Sequence, residues 1–369
     1  MQLLRRLVWN ELWSPWLFGV GLFTVLIMAA SYLMRITDYV VKGVPIYTVA
    51  ELVFLLTPGV LAKTFAMAVL LATLLGFGRL SNDSEIVALR AAGASLFQIM
   101  APVALFGVLV AGVAFLMNET IVPAAAYRAA VIQSEIAQTT DIRGVRVQSF
   151  PIYDRGELRA VIIAKDFSVG SRTIYGATIN VYGDDGKTTY ILEAPELEYR
   201  GEREWRIRGG ARLNSVDGSN RVELTGDVWP KAVPQPGFTP EDLFIMTLRD
   251  LDSLSMTQMA EQIRRMEENP NADPATINNL QYGFYNKIAL PLAAVIYALV
   301  GAPLGIRNHR SGTASGLWIA VLIIFAYIWL ANFLNILAMS GEIPAYVASF
   351  APLVIGMIAA VVLIWQKNK

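Results

Sequence analysis

Residues 12–34 read LWSPWLFGVGLFTVLIMAASYLM, without one charged side chain. A bilayer core takes about 20 mostly apolar residues in helical form, so this stretch decides the class. It is too long for the apolar part of a cleaved secretion signal, and Ser31-Tyr32-Leu33-Met34 is a poor small-residue cleavage site. The pattern recurs. Ala91 to Asn118, Ile288 to Ile306, Ser311 to Gly341 and Ile343 to Gln366 carry no charge, and Leu52 to Gly78 is broken only by Lys63. One such run can be a buried core helix; all of them together predict six transmembrane helices.

Composition agrees. Of 369 residues, 55% are hydrophobic and 16% charged, against about 25% charged in an ordinary soluble domain. Thirty basic and thirty acidic residues cancel, which leaves no global field to attract nucleic acid. There is no cysteine and one histidine, His309. Disulfides, a thiol nucleophile and a Cys/His zinc site are thereby excluded.

The short loops give the orientation. Arg5 and Arg6 precede the first span, Arg79 and Arg90 lie between the second and third, Arg307 and Arg310 between the fourth and fifth, and Lys367 and Lys369 close the chain. With six spans these positions share one side, and an excess of basic residues marks the cytoplasm. Both termini are expected there.

Residues 143–230 are polar, with short alternating segments at 158–164 and 205–208. Turn signals at Asp185-Gly186, Gly209-Gly210 and Asp217-Gly218 separate them. Pro230, Pro234, Pro236 and Pro240 mark an extended return, and Leu254 to Glu268 reads as an amphipathic helix with Met256, Met259, Ile263 and Met266 on one side. The expected fold is an α-helical membrane protein: six transmembrane helices plus an inserted extracytoplasmic all-β, jelly-roll-like domain. Its parts are residues 1–138 (three spans and a cytoplasmic helix at 81–93), 139–240 (the β-domain), 241–279 (the return) and 280–369 (three spans).

Gly183-Asp184-Asp185-Gly186-Lys187-Thr188 resembles a phosphate loop only briefly. A Walker A motif needs glycine where Val181 stands, and a β-hairpin turn fits better. The segment Arg79-Leu80-Ser81-Asn82-Asp83-Ser84-Glu85-Ile86-Val87-Ala88-Leu89-Arg90-Ala91-Ala92-Gly93 is more informative. Ser81 or Asn82 can cap a helix of about ten residues with Asp83 and Glu85 in its first turn, Asn82 and Glu85 have capping-box spacing, and Gly93 is a natural stop. Such a helix is either a surface linker or a coupling helix docked on a cytoplasmic ATPase.

Three motifs carry a resemblance. Gly78-Arg79-Leu80 with Ser84-Glu85-Ile86, then Asn286-Lys287-Ile288-Ala289-Leu290-Pro291-Leu292, then Gly301-Ala302-Pro303-Leu304-Gly305 occur in this order around an inserted β-domain. Together they resemble the LptF/LptG family of lipopolysaccharide-export permeases along essentially the whole chain. The resemblance implies a half-transporter. It would pair with a second LptF/LptG-like chain, a paralogue or a copy of itself, and with a cytoplasmic ABC ATPase dimer. It would extract lipopolysaccharide or a related glycolipid from the inner membrane and pass it to a periplasmic jelly-roll bridge protein, its own β-domain being periplasmic. ATP and Mg would belong to the ATPase, and this chain would hold no cofactor. Glu85 falls on the family's coupling glutamate, with Asp83, Ser84, Ile86 and Arg90 around it.

The chemistry of such a lipid asks for cations near the outer headgroups. Arg35, Lys42, Lys63, Arg128 and Lys287 are the candidates for substrate binding; their alternative is ordinary anchoring at the bilayer interface. Trp9, Trp13, Trp16 and Trp365 read as interfacial belt residues. Gly301 and Gly305 permit close helix approach, with a helix end favoured by Pro303. The alternatives are an ABC permease for another glycolipid or a lipoprotein, and a membrane glycolipid-modifying transferase. Asp38, Glu119, Glu135 and Asp141 show no paired spacing that would serve the transferase.

Overall fold

The computed structural model describes all residues except 1, 140–147, 155–156, 169–171, 184–185, 217–220, 225, 241–242, 244–252, 269–272, 307–312 and 369. Asp141, Asp184, Asp185, the Asp217-Gly218 turn, Arg307, His309, Arg310 and Lys369 therefore lie outside the described residues. So do the side chains of Arg5 and Glu135. The chain forms two compact units. One comprises Met1–Gln133, Asp252–Met256 and Gln281–Lys369; the other comprises Ser134–Leu251 and Thr257–Leu280.

The first unit is helical. Its elements are α1 (Gln2–Val41), α2 (Ile46–Asn82), α3 (Glu85–Ala91), α4 (Leu96–Leu116), a π-helical turn (Met117–Ile121) running into α5 (Val122–Thr139, this unit up to Gln133), α7 (Pro274–Gly305, this unit from Gln281), α8 (Thr313–Met339) and α9 (Ala345–Asn368). Among the described residues six helical stretches are long and apolar enough to cross a membrane, as the charge-free runs predict. The helices outrun those runs at several ends. A backbone N–H or C=O near the bilayer is satisfied most cheaply by continuing the helix, so α1 runs on past Arg35 to Val41 and α2 carries Arg79 in its last turn.

The apolar stretches of α2 and α7 bury most of their length, whereas those of α1 and α8 bury little. Lipid is as apolar as leucine, so helices here hold together by close packing of small residues. Gly301 and Gly305 of α7 lie against α2. A Cβ on Gly301 would land on Thr73 Oγ1, and one on Gly305 would come within 2.8 Å of Phe77 Cβ. The Gly-x-x-x-Gly pair is therefore both the end of α7 and a seam within the chain. Trp9, Trp13 and Trp16 correct the belt expectation. All three set ring edges against Phe106 of α4 at 5.5, 5.5 and 6.1 Å, and Trp16 Nε1 donates to Phe65 O at 3.2 Å. Packing between α1, α2 and α4 claims them, while Trp365 remains 62% exposed.

The second unit is built on strands β1 (Gln148–Asp154), β2 (Glu157–Ala164), β3 (Asp166–Ser168), β4 (Thr173–Tyr182), β5 (Thr188–Gly201), β6 (Glu204–Arg208), β7 (Ala211–Ser215) and β8 (Arg221–Leu224). They form one antiparallel sheet in the order β1-β2-β4-β5-β7-β8; β3 pairs with β4, and β6 with β5. The all-β insertion is thus present, and its described strands run mostly between sequence neighbours. Alternation works as expected: Ile174, Ala177, Ile179 and Val181 of β4 and Leu192, Ala194 and Leu197 of β5 face one core with Trp205 and Ile207 of β6. At the end of the β4–β5 hairpin Gly183 N–H donates to Lys187 O at 2.9 Å, Gly186 N–H donates to Gly183 O at 2.9 Å, and Gly186 has φ 72°. This is the hairpin turn the sequence favours over a phosphate loop.

The proline-rich return is irregular rather than a strand. Gln235 stands in for one: its Oε1 accepts from Trp205 N–H at 3.2 Å and its Nε2 donates to Trp205 O at 3.3 Å. Trp205 Nε1 then donates to Phe238 O at 2.9 Å. Helix α6 (Met256–Glu267) follows. It buries Met259, Gln262 and Met266. Arg265 and Arg264 both bond Glu261 and hold its carboxyl below the ordinary glutamate range.

Candidate functional site

Helix α3 departs from its expected caps. Helix α2 runs through Ser81 and Asn82, and Ser81 is buried there, so neither is free to cap α3 and the Asn82/Glu85 capping box does not form. The N-cap is Ser84, in the left-handed conformation at φ 60° and ψ 13°, with no side-chain cap bond. A left-handed non-glycine residue costs about 1 kcal/mol or more. It lets the chain reverse from α2 into α3 over Asp83 and Ser84 alone, with Asp83 N–H bonded to Arg79 O at 2.9 Å and Ser84 N–H to Ser81 O at 3.1 Å. Gly93 ends α3 as expected. At φ 88° it completes a Schellman motif, Gly93 N–H to Arg90 O and Ala94 N–H to Leu89 O, both at 3.0 Å.

A helix of seven residues cannot hold itself in water; tertiary anchoring must. Ile86 supplies it, 2% exposed in the bundle core, with Leu89 packed beside it. The other side is open: Val87 is 63% exposed, and Asp83, Ser84, Ala88 and Arg90 are exposed too. Glu85 is half-buried, and its Oε2 finds no hydrogen-bond partner among the described residues. Buried carboxylate oxygens are seldom left so.

Around α3 the helix ends are tied together. Arg90 Nη1 donates to Lys367 O at 3.2 Å, and Lys367 Nζ donates to Ile306 O at the end of α7 at 2.8 Å. Arg79 Nη1 reaches Glu11 Oε2 of α1 at 3.2 Å. The starting region of α1 and the end of α9 thus lie at the same end of the bundle as α3, as six crossings require.

The five cations expected to meet substrate are placed differently from one another. Arg35 is half-exposed near the end of α1, Lys42 is exposed just beyond it, and Arg128 is exposed on α5. Lys63 is half-buried in α2, beside Thr64, whose Oγ1 lies 3.2 Å from Thr24 Oγ1 of α1. Lys287 is different in kind: 1% exposed, with Nζ 2.7 Å from Asn118 O and 3.3 Å from Asn118 Oδ1. Glu119, one residue on, accepts from Met256 N–H with both oxygens at 3.0 Å. It acts as a cap rather than as a free carboxylate.

Sequence reasoning missed the bond of Asn118 to Lys287 and the ties that Lys367 makes to Arg90 and Ile306. It also missed the capping box of α4, where Ser95 Oγ accepts from Gln98 N–H and Gln98 Oε1 from Ser95 N–H. That box follows the Ser-x-x-Gln signature. No cluster of three or more His, Asp or Glu side chains able to hold a metal occurs among the described residues.

Two comparisons bear on these features. The family model described as lipopolysaccharide export system permease LptF/LptG matches residues 6–366. No curated protein matches the chain.

Proposed function

The chain belongs to the lipopolysaccharide export permease family LptF/LptG, and on that premise we propose that it is one membrane subunit of an ATP-driven exporter. It pairs with a second permease chain of its own kind, and a separate cytoplasmic ATPase dimer supplies the work. The pair lifts lipopolysaccharide, or a glycolipid like it, from the inner membrane. The sheet of the second unit faces the periplasm and passes the lipid to a bridging protein of similar all-β build. Both termini and α3 face the cytoplasm, as the basic residues at that end favour.

The observation that carries this proposal is the seating of α3. Ile86 fixes it in the bundle, two residues join it to α2, and its other face is exposed. A motor pressing there moves α2 and α4 directly, because there is little chain to absorb the motion. Glu85, half-exposed in the first turn of α3, is the natural point for a donor from the motor, and the exposed Asp83, Ser84 and Arg90 surround it. Arg35, Lys42, Lys63 and Arg128 serve the lipid phosphates by charge-assisted hydrogen bonds.

Co-purification of the tagged chain from its native membrane tests the proposal. An ABC ATPase, a second permease chain and a phosphorylated glycolipid are the expected companions. Recovery of the chain with a lipoprotein or with no ATPase refutes it.

A further inference from the structure

Pro123 is the second residue after the π-helical turn Met117–Ile121, and its chemistry accounts for that turn. In an α-helix Glu119 O would accept from the N–H of residue 123, but proline has none and its ring crowds that carbonyl. The helix widens, and Val122 N–H bonds Met117 O, five residues back. This leaves Asn118 O without either helical donor. Val122 N–H, the α-helical partner, is already engaged, and the partner in the wider register would be Pro123 itself. π-Turns of this kind recur at functional sites.

Lys287 stands on α7 opposite this vacancy. Its Nζ lies 2.7 Å from Asn118 O and 3.3 Å from Asn118 Oδ1, in a place where it is 1% exposed. A buried ammonium is costly unless paired, and a buried carbonyl without a donor is costly too. Each defect answers the other. The next residue of the turn, Glu119, holds Met256 N–H, at the end of the short stretch Asp252–Met256 that belongs to the helical unit.

We propose that Lys287 is a positioning residue: its ammonium caps the carbonyl that Pro123 deprives of a donor, pinning the α4–α5 helix to α7 at the turn that carries Glu119. The ammonium is thereby spent within the protein, and the lipid phosphates are met by other cations. Neither the pairing nor its test requires α3 to be the motor's contact.

Four versions of the full-length chain, each produced with its partner subunits, test this: wild type, Lys287→Met, Pro123→Ala, and both substitutions together. Thermal unfolding in detergent and lipopolysaccharide crosslinking are read on each, with lipid extracted per ATP hydrolysed. Each single change removes one half of the pair and lowers the folded-to-unfolded ratio about tenfold or more. It also lowers extraction per ATP. The double change removes both halves and recovers most of both losses, with crosslinking close to wild type. If the single variants fail to accumulate, accumulation of the double variant supports the pairing, and its failure overturns it. A double variant as damaged as the two losses summed overturns it. So does a Lys287→Met protein of normal stability that has lost crosslinking, since the ammonium would then be holding lipid.

Discussion

Replacing Ile86 with alanine should free α3 from the bundle while leaving the bundle folded. Ile86 is 2% exposed and belongs to the main apolar core. Truncating such a side chain costs about 2–4 kcal/mol, and here most of that cost falls on a helix too short to persist alone. Local opening of α3 should rise about 30-fold to 1,000-fold, since 1.4 kcal/mol is a factor of ten. Val87→Ala is the control. Val87 is 63% exposed, so its loss should leave local opening nearly unchanged. Amide hydrogen exchange, resolved to the peptide spanning residues 85–91, measures the opening in the purified chain. Lipid extraction per ATP hydrolysed, read on the assembled complex, shows whether a loosened α3 still transmits force. Unchanged exchange in Ile86→Ala would refute the anchoring. Faster exchange with undiminished extraction would show that transmission does not pass through α3.

Glu85→Ala should leave the chain folded and inserted, because its Oε2 gives up no hydrogen bond within the described residues, yet it should lower extraction at least tenfold; normal extraction would remove Glu85 from the docking surface. Gly301→Val should destabilise by about 1–3 kcal/mol or more through overpacking, since a Cβ there lands on Thr73 Oγ1, and a wild-type melting temperature would contradict the seam. Charge reversal at Arg35 or Lys63 should weaken lipopolysaccharide crosslinking, whereas unaltered crosslinking would leave these residues as interfacial anchors.

The six membrane helices were legible because the absence of charge over a long run has few other physical causes. The antiparallel sheet was legible from alternation and turn glycines, down to Gly186 and Gly209-Gly210 at positive φ. Local rules failed where tertiary packing overrode them. Asn82 and Glu85 have the spacing of a capping box, but Ser81 is buried and α2 continues past the cap. The tryptophans of α1 have the composition of a belt, but Phe106 gathers them inward. The burial of Lys287 was unreadable for a different reason: the carbonyl it bonds, Asn118 O, lies 169 residues away in sequence. At the candidate coupling site the segment and its glycine stop could be read. The left-handed Ser84 and the ties through Lys367 could not, since both depend on how neighbouring helix ends meet.

The glutamine of the proline-rich return has a consequence beyond its own unit. An outer strand normally exposes unpaired backbone groups that another chain can copy onto. Prolines at 234 and 236 cannot donate, so an amide side chain closes that rim at Trp205. An intruding strand would have to evict Gln235 first, giving up two bonds before gaining any. That guards β6 against stray pairing without lengthening the sheet.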